Sequence, residues 1–203
     1  MNAQTLPGPA DAGELARAEI YGLLARLWLA APDAGLLQRL AGAPSPPPGA
    51  WLEAPWQALV AALRATTPAE AAAEFDALFG GVGKPELFAY ASYHLSGFLN
   101  EKPLAALRAD LARLGLAREP RALETEDHVA YGFEVMRYLI AGGDAVCNLP
   151  AQRRYFGDHL QPWVERFCET VAAHPRAVVW AALARYTAEF MRVEAQGFEL
   201  FED

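Results

Sequence analysis

Five consecutive positions near the middle of the chain, Glu124-Thr125-Glu126-Asp127-His128, bring together three carboxylates, a hydroxyl and an imidazole. Carboxylates pair with cationic groups, most strongly with the two-pronged guanidinium of arginine. A histidine, whose ordinary pKa lies near neutrality, can orient a carboxylate or respond to pH. One interpretation of this cluster is therefore a binding or catalytic site.

A helical pattern follows the cluster at once. Val129, Phe133, Met136 and Ile140 recur at spacings of four, three and four, which predicts one apolar stripe on an α-helix. A second interpretation of the cluster is then capping, with Thr125 as N-cap and the acids in the first turn, where the helix dipole favours them. Capping leaves His128 unexplained, because a protonated histidine is disfavoured at that end of a helix.

Composition predicts an all-α protein. The 203 residues are 53 % hydrophobic, rich in Ala and Leu, and contain no run with strand-like alternation. Apolar periodicity and Gly/Pro punctuation predict a single-domain bundle of about eight helices. We expect a disordered stretch over 1–10, a helical domain over 11–196 (N-terminal helices 11–79, a long central loop 80–99, C-terminal helices 100–196) and a frayed tail over 197–203.

Two local signals give sharper predictions. Thr67-Pro68-Ala69-Glu70 is typical of a capped helix start, with threonine as N-cap and glutamate three residues later. Pro162 should kink a helix that begins after Pro150, because proline removes an N–H and clashes with the preceding turn. In the central loop, the aromatic residues Tyr90 and Tyr93 either line a groove or fix the loop to the core.

Several function classes are disfavoured. The formal net charge of −8 and the lack of a basic run argue against nucleic acid as a partner. No uncharged apolar run reaches membrane-spanning length, and the N-terminus lacks the pattern of a signal peptide, so we expect a cytoplasmic protein without membrane insertion. Gly83-Lys84 is not a phosphate loop, since Leu78 and Pro85 stand where that motif needs glycine and Ser/Thr. We expect no resident cofactor or metal.

Four stretches, in order along nearly the whole chain, resemble one known family. The first helix carries an Arg-x-x-x-Tyr-x-x-Leu pattern that starts at Arg17. A Phe-x-x-Leu-Phe-Gly-x-x-Gly run begins at Phe75, and the likeness continues from Tyr90 to Pro103. The sequence is similar here to the TorD/DmsD/NarJ family of cytoplasmic chaperones for molybdenum-containing redox enzymes.

The other two stretches carry the polar residues. Glu124–His128 resembles the Glu-Pro-x-Asp-His signature of the family, and the run from Gln152 to Trp163 resembles its Gln-x-x-Phe-x-x-His-Leu-x-Pro-Trp motif. Thr125 stands where the signature has proline, and Gly132-Phe133 replaces the usual Glu-Leu. These departures affect the identity of the partner more than the fold.

The resemblance implies an all-helical chaperone that binds the twin-arginine signal peptide, the apo form, or both, of a molybdenum-cofactor oxidoreductase and assists cofactor insertion before export or assembly. It implies that Asp127 and His128 bind the peptide. To these we add, from their residue types, a set of further candidates: Glu124, Glu126, Tyr131, Tyr93 and Tyr90, with Trp163 as another groove wall. The client would be of the formate dehydrogenase or dimethyl-sulfoxide/trimethylamine-oxide reductase type.

Two functions other than this chaperone role are also open. The first is a helical adaptor that binds a folded redox-enzyme subunit independently of a leader. A remote alternative is a metal-dependent hydrolase that uses Asp127 and His128, although the histidines lack metal-ligand spacing. The proline-rich stretch 43–49 and the long loop allow either a monomer or a domain-swapped dimer.

We expect His159 to bond within its own helix, and Trp163 and Phe156 to be core residues.

Overall fold

The computed structural model of the chain describes residues 9–80 and 85–200. These residues form ten helices, and their one β pairing is an isolated bridge between Tyr90 and His128. The helices are α1 (Pro9–Leu29), α2 (Ala34–Ala41), α3 (Glu53–Arg64), α4 (Pro68–Phe79), α5 (Ala91–Ser96), α6 (Lys102–Arg113), α7 (Val129–Ala141), α8 (Leu149–His159), α9 (Val164–Ala172) and α10 (Val179–Glu199). The predicted all-α class is confirmed. Of the stretch 1–10 that we expect to be disordered, residues 1–8 lie outside the described residues, whereas Pro9 and Ala10 already belong to α1. Gly83-Lys84 and the tail residues 201–203 also lie outside the described residues.

Two long helices organise the core. α1 packs along α7, while α10 packs against α9 and α3. The stripe predicted behind the polar cluster is buried as expected, because Val129, Phe133 and Met136 have no exposed surface and Ile140 packs against the core from its edge. Trp28 of α1 is also buried and donates its indole N–H to Thr187 of α10 at 3.1 Å.

The Arg-x-x-x-Tyr motif of α1 is explained by a buried polar network. Arg17 makes two parallel hydrogen bonds to Glu194 of α10, at 2.8 and 2.7 Å, and the Tyr21 hydroxyl donates to the same carboxylate at 2.9 Å. Gln152 of α8 accepts from Arg17 at 3.3 Å and donates to the Leu139 carbonyl at 3.2 Å. These motif residues therefore connect α1, α7, α8 and α10. A buried charge pair of this kind needs all of its partners.

The capping box at Thr67 is present as predicted. Its hydroxyl accepts from Glu70 N–H at 3.2 Å, and Glu70 accepts from Thr67 N–H at 2.8 Å. Glu74 of the same helix accepts three backbone N–H groups at the start of α10, including those of Val178 at 2.7 Å and Trp180 at 3.0 Å. Helix α4 therefore caps a second helix.

Three predictions about the elements need correction. Pro162 does not kink one helix: α8 ends at His159 and α9 begins at Val164, because a turn replaces the helical path that proline obstructs. The stretch 80–99 contains the short helix α5, whose six residues are too few to show a period. α10 continues through Glu199 into the stretch predicted to fray, because Phe198 is buried there against Phe156.

The start of α7 also differs from the prediction. The N-cap is His128, whose ring Nδ1 accepts from Ala130 N–H at 3.3 Å, and not Thr125. The His128 N–H bonds the Thr125 carbonyl at 3.0 Å, so these residues form a turn before the helix. Glu126 and Asp127 thus lie outside the first turn of α7, and the expected dipole capping of that helix does not account for them.

Candidate functional site

The turn 124–128 is joined to the segment before α5 by backbone pairing. Ala91 N–H donates to the Asp127 carbonyl at 3.0 Å, and Val129 N–H donates to the Ala89 carbonyl at 2.8 Å. This pairing forms the isolated bridge between Tyr90 and His128. Two stretches that lie more than thirty residues apart in sequence are therefore held side by side.

Asp127 holds this arrangement together from inside. Its carboxylate accepts from Ser92 N–H of α5 at 2.9 Å and from the Thr125 hydroxyl at 2.6 Å, and the residue is only 3 % exposed. Ser92 N–H is one of the first donors of α5, which have no partner within the helix. Asp127 consequently caps α5, a helix that is distant in sequence, and both of its oxygens already have partners.

His128 is buried beside Asp127. Burial lowers the pKa of its imidazole to about 4, although the nearby Glu124 and Asp127 charges oppose that shift. The ring is therefore neutral at pH 7, and because Nδ1 accepts from Ala130 its proton is on Nε2. Tyr90 packs edge-on against this ring with centroids 5.1 Å apart, and Tyr131 lies 6.1 Å away.

Glu124 and Tyr90 are paired with each other. The Tyr90 hydroxyl donates to the Glu124 carboxylate, and burial together with this bond raises the pKa of the tyrosine. Tyr93 lies elsewhere, with its ring 4.4 Å from that of Phe88 and 36 % of its surface exposed. Both loop aromatics thus contact neighbouring side chains of the protein.

A cleft of about 340 Å³ opens between α5, α6, α7 and the α8–α9 turn. We call it the acidic cleft, because its lining includes four carboxylates and, within the part of the chain that the structure describes, neither lysine nor arginine. Apolar side chains form the rest of its wall. The residues that line it are Ala91, Leu95, Pro103, Ala106, Leu107, Asp110, Glu126, Asp127, His128, Gly132, Tyr155, Asp158, His159, Leu160 and Trp163.

Four of the predicted residues line the acidic cleft: Glu126, Asp127, His128 and the predicted groove wall Trp163. Tyr131 instead lines a second concavity of about 390 Å³, here called the outer groove. Its lining residues are Leu29, Leu111, Leu116, Ala117, Arg118, Glu119, Arg121, Ala122, Glu126, Tyr131 and Glu134. Glu124, Tyr90 and Tyr93 line neither concavity, so the structure does not gather the whole predicted set.

Glu126 is the carboxylate shared by both concavities. It accepts from Arg108 of α6 at 2.8 Å, and Arg118 lies 3.9 Å away. These cations, the Arg108 bond above all, lower the pKa of Glu126, so it is ionised at neutral pH. Unlike Asp127, it retains 14 % side-chain exposure.

Asp110 and Asp158 complete the acidic lining, and sequence reasoning missed both. Each is a single acid within a helical pattern, where it resembles any solvent-facing residue. The His-Leu-x-Pro-Trp motif offered one signal, because Asp158 precedes His159 directly. His159 bonds Asp110 of α6 at 2.6 Å and not a group of its own helix, which corrects our expectation for that residue.

The cleft wall at Trp163 is aromatic. The predicted core position of Trp163 and Phe156 is confirmed, since each is 2 % exposed, although Trp163 also lines the cleft. The ring of His94 stacks on Trp163 with centroids 5.3 Å apart, and its Nε2 lies 2.7 Å from the Phe88 carbonyl oxygen. Burial lowers the pKa of His94 and of His159, so the histidines around the cleft favour the neutral form.

Exposed apolar side chains lie beside the cleft. Tyr93, Leu95, Phe98 and Leu99, here called the apolar patch, are 36, 43, 70 and 41 % exposed. Leu95 belongs both to this patch and to the cleft lining. Four large apolar residues exposed within seven positions are typical of a surface that binds another molecule.

Metal-ligand clusters and membrane-spanning helices are both absent from the part of the chain that the structure describes. Among residues 9–80 and 85–200, no three His, Cys, Asp or Glu side chains are grouped so that they could hold a metal ion. No helix in the same ranges has the length and apolar character needed to cross a bilayer.

Comparison with known proteins identifies the family. A family model described as nitrate reductase delta subunit matches residues 48–169, which is more than half of the chain and contains α3 to α8 and most of α9. The chain belongs to this family. The match confirms the TorD/NarJ resemblance seen in the sequence motifs, and it includes every residue of the acidic cleft.

Curated relatives agree with the family assignment. Chaperone protein TorD of Vibrio cholerae serotype O1, El Tor Inaba strain, is 28 % identical over 143 residues, 66 % of this chain and 65 % of that protein. The TorD chaperone of the Classical Ogawa strain is 28 % identical over 131 residues, 61 % of this chain and 60 % of its own length. The chain therefore spans slightly under two thirds of the relatives that it matches.

Proposed function

We propose that this chain is a cytoplasmic chaperone of a molybdenum-cofactor oxidoreductase and that it binds the twin-arginine signal peptide of that enzyme in the acidic cleft. One observation carries the proposal: a concavity with four carboxylates, and with neither lysine nor arginine among its described lining residues, lies next to an exposed apolar patch. A twin-arginine leader has two adjacent guanidinium groups followed by an apolar stretch. The two surfaces match the two parts of such a leader in charge and polarity.

Within the cleft, the carboxylates have different roles. Asp127 is occupied by Ser92 and Thr125, so it shapes the wall and contributes negative charge. Glu126 is ionised, partly exposed and at the junction of two concavities, which makes it the main partner for a guanidinium. Asp158 is exposed on the opposite α8 wall and adds a second carboxylate.

The remaining predicted residues support this arrangement. His128 stays neutral and caps α7, so it does not repel a cationic peptide. Tyr90 and Glu124 hold the turn from outside through their hydrogen bond, and Tyr131 forms part of the outer groove.

Leu95, Phe98 and Leu99 of the apolar patch receive the apolar stretch of the leader.

The names of the TorD relatives support the chaperone role. We propose that the client is an enzyme of the formate dehydrogenase or dimethyl-sulfoxide/trimethylamine-oxide reductase type, held until its cofactor has been inserted. A second candidate is an adaptor that binds a folded redox subunit without a leader. The description of the matching family as nitrate reductase delta subunit favours this candidate, and the apolar patch would then be part of a protein interface.

Calorimetric titration of the full chain with synthetic leaders tests the proposal. Each leader of a molybdoenzyme from the same genome is paired with a version in which Lys-Lys replaces Arg-Arg. We expect one Arg-Arg leader to bind and its Lys-Lys version to bind at least about tenfold more weakly, because lysine cannot make the two-pronged pair. If no leader binds but whole client lacking its leader is retained, the adaptor replaces the chaperone proposed here.

A further inference from the structure

The carboxylate best placed to receive a leader is already bound to an arginine of this chain. Arg108 of α6 donates from Nη2 to Glu126 Oε2 at 2.8 Å. Half of the Arg108 side chain, 51 %, faces solvent, whereas that of Glu126 is 14 % exposed. Arg108 thus covers Glu126 from outside, and it lines neither of the two concavities that Glu126 joins.

The neighbouring Arg118 is held differently. Its Nη1 donates to the backbone carbonyls of Ala122 at 2.9 Å and Glu124 at 3.2 Å, and its Nε lies 3.9 Å from Glu126. Those carbonyls fix Arg118 in place, so its charge is a permanent part of the outer groove. The Arg108 side chain reaches Glu126 from a separate helix and can return to solvent without breaking the turn 124–128.

We propose that Arg108 is an internal competitor of the leader. In the unbound chain its guanidinium occupies Glu126, and on binding a leader arginine takes that place while Arg108 moves into solvent. This inference rests on the proposed function. The exchange replaces one guanidinium by another, so Glu126 keeps its partner and is at no point left as an unpaired, partly buried charge.

Competition of this kind has a quantitative consequence. We call the chain closed when Arg108 is paired with Glu126 and open when that pair is broken. An exposed ion pair typically favours the closed form by about 1.5- to 5-fold. The apparent dissociation constant of any ligand that needs Glu126 open is the intrinsic constant divided by the open fraction. Removing Arg108 should therefore tighten binding by about twofold to sixfold, and by the same factor for every leader that uses Glu126.

The experiment is a double-mutant cycle read by calorimetry with one Arg-Arg leader. The proteins are wild type, Arg108→Gln, Glu126→Gln and the double variant, with Arg185→Gln as a control of equal charge change. Arg185 is an exposed residue of α10 that bonds the Ala172 carbonyl and lies outside the cleft and the outer groove. We expect Arg108→Gln to tighten binding, Arg185→Gln to leave it unchanged, and Arg108→Gln to have no effect when it is combined with Glu126→Gln.

The outcomes separate the two proposals. If wild type binds the leader and Arg108→Gln binds it equally or more weakly, Arg108 is not a competitor and the proposed function stands. If Arg108→Gln tightens binding as much in the Glu126→Gln variant as in wild type, the effect comes from removing a positive charge near the cationic leader. The competitor role is then wrong. If no protein binds any leader, both proposals are overturned.

Discussion

Replacement of Asp127 by alanine should destabilise the fold before it affects any ligand. The carboxylate caps α5 through Ser92 N–H at 2.9 Å and accepts the Thr125 hydroxyl at 2.6 Å, in a site that is 3 % exposed. Alanine leaves the Ser92 donor unpaired, and Ser92 has no exposed surface through which water could replace the carboxylate. The substitution therefore removes the link between α5 and the turn 124–128.

The magnitude follows from these contacts. A buried donor that loses its acceptor costs about 1–3 kcal/mol, and loss of a helix cap costs about 0.5–2 kcal/mol. These ranges overlap in part because they describe the same Ser92 bond, so we expect a loss of about 2–4 kcal/mol. Such a loss is a large part of the roughly 5–15 kcal/mol that is typical of a domain, yet the variant should remain folded without denaturant.

Urea denaturation followed by circular dichroism measures this loss. Asp127→Asn should lose only about 1 kcal/mol, because its amide oxygen can still accept from Ser92. Asp158→Ala is the matched control, since it removes an exposed acid and should change stability by less than about 0.5 kcal/mol. If Asp127→Ala is as stable as Asp158→Ala, the carboxylate is not a structural cap and is free to act as the primary ligand for a peptide.

Three further predictions concern other parts of the molecule. The pKa of His128 is about 4 in the folded chain and about 6.5 when unfolded, so the unfolded chain binds the proton more readily. The free energy of unfolding should therefore fall by up to about 3 kcal/mol as the pH drops from 6.5 to 4. Urea titrations at several pH values should show a flatter profile for His128→Gln. Glu194→Ala removes the acceptor of Tyr21 and one of the two carboxylates that bind Arg17, which keeps Glu14 at 2.6 Å. By the same measurement it should cost about 2–3 kcal/mol, whereas a loss under about 1 kcal/mol would contradict the network. Phe98→Ser should weaken leader binding severalfold in calorimetry, because Phe98 belongs to the apolar patch. Since Phe98 is 70 % exposed, the urea midpoint should not change. Unchanged affinity would show that Phe98 is not part of the binding surface.

Sequence patterns predicted the helices where local rules decide the structure. The capping box at Thr67 and the apolar stripe of α7 depend on residues three or four positions apart, so their spacing is visible in the sequence. Pro162 marks where the helical path is disturbed, but a kink and a full interruption have the same local signal in the sequence. Only the packing of α8 and α9 decides between the two.

The polar cluster shows where sequence reasoning stopped. The sequence predicts Thr125 as N-cap and Asp127 as a first-turn acid of the helix that follows, whereas in the structure Asp127 caps α5, a helix on a different part of the chain. The pairing of residues 89–91 with 127–129 makes that contact, and backbone pairing of so few residues leaves no pattern in the sequence. Composition alone offered no means to foresee that cap.

The ranking of the acids changes for the same reason. Motif likeness favoured Asp127 and His128, whereas the structure leaves Glu126 as the carboxylate that is ionised and accessible from two concavities. Asp110 and Asp158 join the cleft only because α6 and α8 face each other across it. These facts depend on how distant helices pack, so a single sequence could not supply them.

Calorimetric titration of Glu126→Gln with an Arg-Arg leader that binds wild type tests the central claim most directly. Glutamine keeps the size of the side chain and removes its charge, and Glu169→Gln, an exposed acid on α9, serves as control. We predict that Glu126→Gln binds about tenfold more weakly while the control binds like wild type, since a charge-assisted pair is lost. Equal affinity of Glu126→Gln and wild type would contradict the claim that the acidic cleft recognises the leader through this carboxylate.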